Sequence, residues 1–338
     1  MTYLCICLKD YPDIALTELK ALFNDIKYTG KGYALIEQKI DLKIADRLSF
    51  TKKIGQILIA ADNEDELIKK IAENNDVPNL YKDNFAFRKH IDDNILKSTE
   101  VELAECIGLR INEISKTKIN VNLTNPRTLF ELFYFDKKFY LTYNIWTNKE
   151  DYKERYPHKR KIFLPISLKP KLARALVNIG STNKKYRVID PFCGTGGILI
   201  EACLMYIKAQ GNDIDERMIE ASNQNIKQAC NTKINIEQGD AIEYIKKIKE
   251  KNYCVVTDPP YSKNTKKVFD AKKFYNELLK VLDNSKAKRI VIMLPEFSDK
   301  RYDCTKLIKT IENYNVELIT RMYVHKSLNR LIYLLEKK

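Results

Sequence analysis

Metal-binding side chains are scarce in this sequence. The 338 residues include only three histidines, and the eight cysteines are scattered without a Cys-x-x-Cys pair. Transition-metal sites in proteins are built from clustered cysteine and histidine side chains, so this pattern predicts no metal site. Scattered cysteines, such as Cys5 and Cys7 on one face of a short strand, are expected to be reduced and structural.

Two further absences narrow the class of protein. No apolar run approaches the length of a membrane-spanning helix, and Met1–Asp10 is too short and too weakly basic for a secretory signal. Neither Gly-x-Gly-x-x-Gly nor a P-loop Gly-Lys-Ser/Thr occurs, which argues against a dinucleotide or ATP site. With 44% hydrophobic and 31% charged residues, the sequence predicts a soluble, cytoplasmic protein with room for two domains.

Acidic residues are outnumbered by basic ones. Lys and Arg total 59 against 45 Asp and Glu, which gives a formal net charge of +14. A polyanionic partner such as a nucleic acid follows naturally from this charge. A base composition that favours Lys, Ile and Asn codons would produce the same excess, so the charge alone favours nucleic acid only modestly.

The first half of the chain alternates short strands and helices, which predicts a small α+β sandwich. Two segments on either side of Asp136–Lys138 are expected to form a hairpin, at residues 129–135 and 139–145. The other predicted strands span residues 2–8, 32–37, 54–60, 85–90 and 119–123. The predicted helices span residues 12–23, 42–50, 65–73 and 100–114. The last helix is expected to turn five apolar side chains inward: Val101, Leu103, Ala104, Ile107 and Ile111.

The second half begins after a polar, charged stretch at residues 148–161, which Pro157 interrupts. This stretch is expected to be a solvated linker, with contact to a phosphate group as the alternative. A helix at 170–179 and five strands separated by helices then predict a mostly parallel α/β sheet, closed by an antiparallel hairpin. The five strands centre on residues 187–190, 209–214, 234–238, 253–258 and 289–294, and the hairpin on 316–325 and 328–336.

A glycine-rich turn lies between a strand and an apolar helix in Val188–Ala202. Gly194, Gly196 and Gly197 remove side chains where a backbone bends sharply or approaches a ligand closely. Asp190 ends the strand, at the position where open α/β sheets bind ligands. The loop is acidic and has no basic residue, so it would repel a pyrophosphate and suits a cationic cofactor such as S-adenosylmethionine. A packing turn without a ligand is the alternative.

Four aspartates follow the ends of successive predicted strands: Asp190, Asp213, Asp240 and Asp258. Because the carboxyl ends of parallel strands meet at one edge of a sheet, these side chains are expected to gather there. Asp213 follows Asp190 by about 20 residues, the interval at which a carboxylate meets ribose hydroxyls in nucleotide-binding folds.

The sequence Asp258-Pro-Pro-Tyr261 follows an apolar strand and is the most specific motif in the chain. The exocyclic amine of a nucleobase is a poor nucleophile, because its lone pair is delocalised into the ring. The Asp258 carboxylate and the Pro259 carbonyl can accept both amine N–H bonds, which directs the lone pair at an incoming methyl group. Pro260 restricts the turn further, and Tyr261 offers an aromatic face to a base drawn from its stack. A structural proline turn is the alternative.

Three segments together resemble the class I S-adenosylmethionine-dependent amino-methyltransferases: residues 188–202, 211–215 and 258–261. The run from Tyr156 to Asn178, Tyr-Pro-His-Lys-Arg-Lys-Ile-Phe-Leu-Pro-Ile-Ser-Leu-Lys-Pro-Lys-Leu-Ala-Arg-Ala-Leu-Val-Asn, resembles one group within that class. This group is the archaeal tRNA guanosine N2-methyltransferases that act at tRNA position 10. Residues 11–19 resemble its N-terminal opening, and residues 85–145 are similar to an RNA-binding THUMP domain.

The resemblance implies a domain organisation. It implies a Rossmann-like class I methyltransferase sheet with a C-terminal antiparallel hairpin, preceded by an α+β region. Its predicted parts are a ferredoxin-like subdomain at residues 1–60, a THUMP domain at 61–147, a linker at 148–164 and the methyltransferase domain at 165–338.

The resemblance also implies roles for individual residues. Those expected around the methionine end of the cofactor are Asp190, Pro191, Cys193, Gly194, Thr195 and Gly196. Asp213 with Ile214 is expected at the ribose, and Asp240 with Ala241 at the adenine. Asp258, Pro259, Pro260 and Tyr261 are expected to hold the target guanine. The family usually has glycine where this chain has Ser262, and the basic stretch Lys263–Lys267 that follows is expected either to meet phosphates or to be solvated.

The reaction that the resemblance implies is methyl transfer from S-adenosylmethionine to the N2 amine of a tRNA guanosine, without a covalent intermediate or a metal. The product is N2-methylguanosine or N2,N2-dimethylguanosine, and tRNA is the expected partner. Alternatives are a guanosine N2-methyltransferase for another tRNA site or rRNA, a DNA adenine N6-methylase, and a non-enzymatic RNA-binding protein. The oligomeric state, and a need for the small activating subunit of some relatives, stay open.

Overall fold

The computed structural model describes residues 1–30, 32–116, 118–164, 167–261, 270–298 and 303–338. Its contacts divide the chain into two compact units. The first unit comprises Met1–Pro12, Phe23–Asp46 and Thr51–Lys149, and the second comprises Asp13–Leu22, Arg47–Phe50 and Glu150–Lys338. Within the described ranges, none of the helices combines the length and apolar character that crossing a membrane requires.

The first unit contains a seven-stranded sheet. In chain order its strands are β1 (Tyr3–Cys7), β2 (Ile26–Gly30), β3 (Tyr33–Ile36), β4 (Thr51–Ala61), β5 (Phe85–His90), β6 (Thr128–Phe135) and β7 (Lys138–Thr147). They lie in the order β2-β3-β1-β4-β7-β6-β5, and every neighbouring pair is antiparallel except β5 and β6. Strands from the predicted segments 1–60 and 61–147 therefore share one sheet, and the boundary between these segments stays a prediction.

Helices of the first half of the chain are α1 (Pro12–Leu22), α2 (Leu42–Ala45), α3 (Glu64–Glu73), α4 (Asp76–Leu80) and α5 (Glu100–Ser115). Apolar side chains of α3 and α5 pack on the sheet and form a hydrophobic core with it. Leu67, Leu103 and Ile107 are among the buried residues of this core. The predicted hairpin of β6 and β7 is confirmed. Its turn residues Asp136 and Lys137 both have positive φ, 47° and 61°, as tight hairpin turns require.

Several predictions for this half were wrong. Residues 119–123 form no strand and make only an isolated bridge between Val121 and Phe85. The helix expected at 42–50 ends at Ala45, and β2 was not foreseen. Val101 is 66% exposed rather than inward, because it lies two residues before the buried Leu103, about 200° away on the opposite face of α5.

The second unit is built on another seven-stranded sheet. Its strands are β8 (Arg187–Asp190), β9 (Ala209–Asp213), β10 (Asn235–Gln238), β11 (Tyr253–Thr257), β12 (Arg289–Phe297), β13 (Tyr314–His325) and β14 (Leu328–Lys337). They lie in the order β10-β9-β8-β11-β12-β14-β13. The first five are parallel, and the β13–β14 hairpin adds antiparallel to β12, as the sequence predicts.

Helices of the second unit connect these strands, and α1 joins them from the start of the chain. They are α6 (Pro170–Gly180), α7 (Gly197–Leu204), α8 (Glu216–Cys230), α9 (Ala241–Lys247), α10 (Ala271–Asp283) and α11 (Cys304–Leu307). All five side chains of β11 are buried, as expected for a central parallel strand that is covered on both faces. The carboxyl ends of β8, β9, β10 and β11 consequently lie along one edge, where the acidic residues follow them.

The predicted solvated linker is instead partly buried in the second unit. Arg155 donates from Nε to Glu201 Oε1 at 2.9 Å, and its Nη2 lies 2.7 Å from Glu150 Oε1. Arg174 Nη1 lies 3.4 Å from both carboxylates. Arg160 is only 8% exposed. The prediction of a solvated face was wrong for Arg155, because Glu201 on α7 is buried and requires a cationic partner, and it was also wrong for the buried Arg160.

Glu18 of α1 joins three separate segments within the second unit. Its carboxylate is fully buried and accepts hydrogen bonds from Ser49 N and Oγ at 2.9 Å, Phe50 N at 2.9 Å and Asn178 Nδ2 at 2.7 Å. Burial raises the pKa of Glu18, and these four bonds oppose that rise. The carboxylate therefore serves as the acceptor for donors on the segment 47–50 and on α6.

We expect Glu18→Ala to lower the free energy of unfolding by about 3 kcal/mol, because the buried donors lose their acceptor. Denaturant titration of the whole chain measures this loss. Glu37→Ala is the matched control, since Glu37 makes only a surface ion pair with Lys27 and should cost less than about 1 kcal/mol. Equal losses in the two variants would contradict the structural role of Glu18.

Candidate active site

The glycine-rich loop that follows β8 is held in one conformation by backbone hydrogen bonds. Cys193 N donates to Asn212 O at 2.9 Å, and Gly196 N donates to Cys193 O at 2.8 Å. Gly194 and Gly196 have φ of +50° and +84°, the left-handed region that favours glycine. A Cβ on Gly196 would also lie 2.9 Å from Ser222 Oγ of α8. The loop therefore requires glycine at position 196 for two independent reasons.

Asp213, at the end of β9, holds this loop in place through a hydrogen bond. Its Oδ2 accepts a hydrogen bond from Gly194 N at 2.8 Å and its Oδ1 accepts one from Asp215 N at 3.0 Å. Burial raises the pKa of Asp213, and the backbone donors oppose that rise. The Asp213 carboxylate thus links the end of β9 to the loop that follows β8, which brings it to the sheet edge where Asp190 lies.

Asp190 is the most deeply buried of the four strand-end aspartates, with 2% of its surface exposed. Its Oδ1 accepts from Thr257 Oγ1 at 2.7 Å and from Phe192 N at 3.2 Å. Burial raises its pKa to about 7, and the nearby Asp213 and Asp258 carboxylates add to the rise. A cation placed beside these carboxylates would lower the cost of ionising them.

Asp240 differs from the other three aspartates because it is exposed and caps a helix. Its Oδ1 accepts from Ile242 N at 2.9 Å and Glu243 N at 3.1 Å at the start of α9. Ala241 is buried as the first residue of that helix, whereas Ile214 is 71% exposed just beyond Asp213. An exposed apolar side chain beside a carboxylate is suited to cover one face of an aromatic ring.

Asn212 connects three loops of this edge and was missed in the sequence. Its Nδ2 donates to Pro191 O at 3.1 Å and to Gly239 O at 3.0 Å. Thr195, on the same loop as Pro191, is 5% exposed and lies within hydrogen-bonding distance of Ser167 Oγ, at 3.1 Å. An asparagine next to an aspartate at a strand end is too common to signal this role, so only the structure reveals it.

The Asp258-Pro-Pro-Tyr261 turn follows β11 and contacts Arg330 of β14. Arg330 is the second site residue, after Asn212, that was not predicted. The Tyr261 hydroxyl donates to Asp258 Oδ1, while Arg330 Nη2 lies 3.3 Å from Asp258 Oδ2. Arg330 Nε also donates to the Tyr261 hydroxyl oxygen at 2.9 Å. In addition, Tyr275 of α10 donates to Pro260 O at 2.9 Å. An arginine within the apolar strand β14 was the available sequence signal.

This environment shifts the pKa values of both Asp258 and Tyr261. Burial raises the pKa of Asp258, while Arg330 and the Tyr261 hydroxyl oppose that rise. Burial and the Asp258 carboxylate both raise the pKa of Tyr261, so the phenol stays protonated and donates. The predicted Ser262 and Lys263–Lys267 loop lies outside the described residues.

This edge offers a nucleobase an acidic hydrogen-bond acceptor without a competing nucleophile. Cys193 is buried, and burial together with Asp190 and Asp213 raises its pKa, which makes the thiolate scarce. In the part of the chain that the structure describes, no cluster of His, Cys, Asp and Glu is arranged to hold a metal ion. The buried carboxylates of this edge, each held by hydrogen bonds, suit chemistry by positioning and hydrogen bonding.

Comparison with known proteins places this edge in context. The family described as RMKL-like, methyltransferase domain matches residues 157–330. The tRNA (guanine(10)-N2)-dimethyltransferase of Methanothermobacter thermautotrophicus is 30% identical over 100% of both chains. The enzyme of that name from Methanocaldococcus jannaschii is 32% identical over 97% of both. The crystal structure of TrmN from Thermus thermophilus covers 100% of both chains with a TM-score of 0.50 and 16% identity, which shows a shared fold.

The raised pKa of Asp190 predicts a pH-dependent gain in stability for Asp190→Asn without cofactor. The folded carboxyl is protonated up to about pH 7, whereas an unfolded one ionises near pH 4. Its contribution to stability is thus complete at low pH and is lost as the pH rises through 7. Between pH 5 and pH 8 the variant should gain on the order of 2 kcal/mol relative to the native chain.

Thermal and denaturant unfolding at the two pH values measure this gain. Asp215→Asn is the matched control, because Arg217 lowers the pKa of Asp215. Its contribution is already complete at pH 5, so the effect of its replacement should not change up to pH 8. A parallel response of the two variants would show that Asp190 is not protonated in the folded state.

Proposed function

The chain belongs to the family of tRNA (guanine(10)-N2)-dimethyltransferases, and from this premise we propose that it methylates the N2 amine of guanosine 10 in tRNA. S-adenosylmethionine is the methyl donor, and the products are N2-methylguanosine and then N2,N2-dimethylguanosine. The observation that carries the proposal is the position of Asp258: it follows β11 at the same sheet edge as Asp190 and Asp213.

The chemistry of the loop after β8 fits the cofactor. S-adenosylmethionine carries a sulfonium and an ammonium group, and it supplies an electrophilic methyl group when bound. The acidic pair Asp190 and Asp213 favours such cations, and the absent side chain at Gly196 leaves the loop close to α8. Around the methionine end we place Asp190, Pro191, Cys193, Gly194, Thr195 and Gly196. Asp213 and Ile214 face the ribose side, and Asp240 and Ala241 the adenine side.

Asp258 and Pro259 perform the positioning of the guanine amine. The carboxylate and the carbonyl accept the two N–H bonds, so the amine lone pair points away from the ring plane and the positive charge that develops is stabilised. The ionised carboxylate is the stronger acceptor, and it can take up the proton that the amine releases. Tyr261 offers its ring to the flipped base, and Pro260 is held by Tyr275.

The first unit is proposed to grip the tRNA. Residues 61–147 would form the THUMP domain and residues 1–60 the ferredoxin-like subdomain. The parallel pair β5–β6, the hairpin β6–β7 and the packed helices α3 and α5 support an α+β architecture for the RNA-binding part. The enzyme would work in the cytoplasm, where tRNA is modified.

Methyl transfer to a defined base tests the proposed reaction. Wild-type protein, labelled S-adenosylmethionine and tRNA transcripts should give N2-methylated guanosine at position 10 by mass spectrometry. A transcript with adenosine at position 10 is the substrate control and should stay unmodified. Asp258→Asn should lower the rate roughly 10²- to 10³-fold while cofactor affinity stays near the native value. Methylated adenine, or no methylated tRNA, would refute the proposed function.

Charge reversal on the first unit tests the tRNA-binding role. Exposed Lys82 and Arg127 lie on loops that meet at one end of its sheet, since Lys82 N donates to Thr128 Oγ1 at 2.9 Å. The double variant Lys82→Glu and Arg127→Glu should weaken tRNA binding about tenfold and reduce the salt dependence of binding. The double variant Lys39→Glu and Lys69→Glu is the control with a like charge change, since both lysines are exposed in the same unit and outside these two loops. Affinity equal to that of the control would contradict RNA binding by this end of the unit.

A further inference from the structure

Arg330 is bound to both functional groups of the Asp258-Pro-Pro-Tyr261 turn. Its Nη2 lies 3.3 Å from Asp258 Oδ2, its Nε donates to the Tyr261 hydroxyl at 2.9 Å, and its guanidinium carbon lies 5.5 Å from the centre of the Tyr261 ring. The Tyr261 hydroxyl in turn donates to Asp258 Oδ1. The three side chains thus form a closed hydrogen-bonded unit around the carboxylate.

The backbone that carries Arg330 is rigid. β14 lies between β12 and β13, where Arg330 is opposite Pro295 on one side and Met322 on the other. The next two residues, Leu331 and Ile332, are fully buried. A guanidinium on such a strand is suited to place a loop residue, because its own position is fixed by the sheet.

We propose that Arg330 is a positioning residue that keeps Asp258 and Tyr261 ready for the base, and that the incoming amine takes the place of the Tyr261 hydroxyl on Asp258 Oδ1. The inference rests on the proposed function, in which Asp258 accepts an amine N–H. It adds a residue that no motif of the sequence singles out and an exchange of hydrogen bonds on base entry.

The difference between the two Asp258 oxygens supports this exchange. Oδ2 faces a guanidinium, whose positive charge stays beside the carboxylate whether or not a base is bound. Oδ1 faces a neutral phenol, whose O–H can rotate away and leave this oxygen to a guanine N–H. When the phenol leaves Oδ1, its oxygen still accepts from Arg330 Nε, and the guanidinium beside the ring keeps the ring in place.

Arg330 also affects the ionisation of the Asp258 carboxyl, because its positive charge favours the carboxylate form. The charged and titratable groups that act on this carboxyl are Arg330 from β14, Tyr261 from its own turn, and Asp190 from β8. Arg330 is the cation among these described groups. Without it, none of these described groups would compensate the charge of the Asp258 carboxylate, which favours the protonated form.

Two substitutions separate the effects of charge and geometry. Arg330→Met removes both, so the turnover number at saturating substrates should fall about 10²-fold and the acidic limb of its pH profile should move up by about one pH unit or more. Arg330→Lys keeps the charge but cannot reproduce the planar, two-site contact. Its acidic limb should stay near the native pH, with a smaller loss in turnover.

The control variant is Arg321→Met on β13, whose arginine pairs with Glu296 near the surface. It should keep the native turnover and pH profile. Unfolding curves of all variants establish that the compared chains are folded. A native pH profile for folded Arg330→Met, or a loss confined to the KM for tRNA, would overturn the positioning role.

A measurement without tRNA keeps this inference separate from the proposed function. Titration of the Asp258 carboxyl by carbon-13 NMR, assigned with Asp258→Asn, should show a higher pKa in Arg330→Met than in the native chain and in Arg321→Met. An unchanged Asp258 pKa overturns the inference even when guanosine 10 is methylated. Absent methylation with the pKa raised in Arg330→Met would refute the reaction but not the coupling of Arg330 to Asp258.

Discussion

Burial of several carboxyl groups at one edge of a parallel sheet is the constraint on which the site depends. Asp190, Asp213 and Asp258 follow three strands that are adjacent in the sheet, and burial raises the pKa of each. Burial keeps most water from these groups, so the chain provides a donor for each: Thr257, the Gly194 amide and Arg330. The result is an acidic, partly protonated edge that a cationic methyl donor and a neutral amine would both stabilise.

Buried carboxylates that bind donors from distant segments also occur away from the site. Glu18 and Glu201 are fully buried in the second unit, and each binds donors that lie far away in sequence. Glu131 in the first unit is 1% exposed and bonds to Lys53, His90 and Asn144 from three different strands. Each such carboxylate requires its partners to be in place at once, which favours a single arrangement of the surrounding segments.

Sequence patterns predicted the second unit better than the first. The order of strands and helices from residue 170 to the end was right, because β8, β11 and β12 have short apolar runs and helices fill the intervals between the strands. In the first unit the segment 119–123 has the composition of a strand but makes only one bridge. Residues 148–161 were read as solvated from their charges, whereas Arg160 is buried and Arg155 is partly buried. Local patterns cannot reveal such cases, because the partner of a charged side chain is set by the fold.

The candidate site also combines residues that local patterns predicted with residues that only the fold brings into place. The residues of the glycine loop, the strand-end aspartates and the Asp258-Pro-Pro-Tyr261 turn could be named from spacing and chemistry alone, because each is local in sequence. The residues that support them could not. Asn212 ties three loops together and Arg330 reaches Asp258 from β14, 72 positions later in the chain. The sequence by itself determined which chemistry is available, and only the tertiary structure decided how it is held, since a hydrogen bond between distant strands leaves no local pattern.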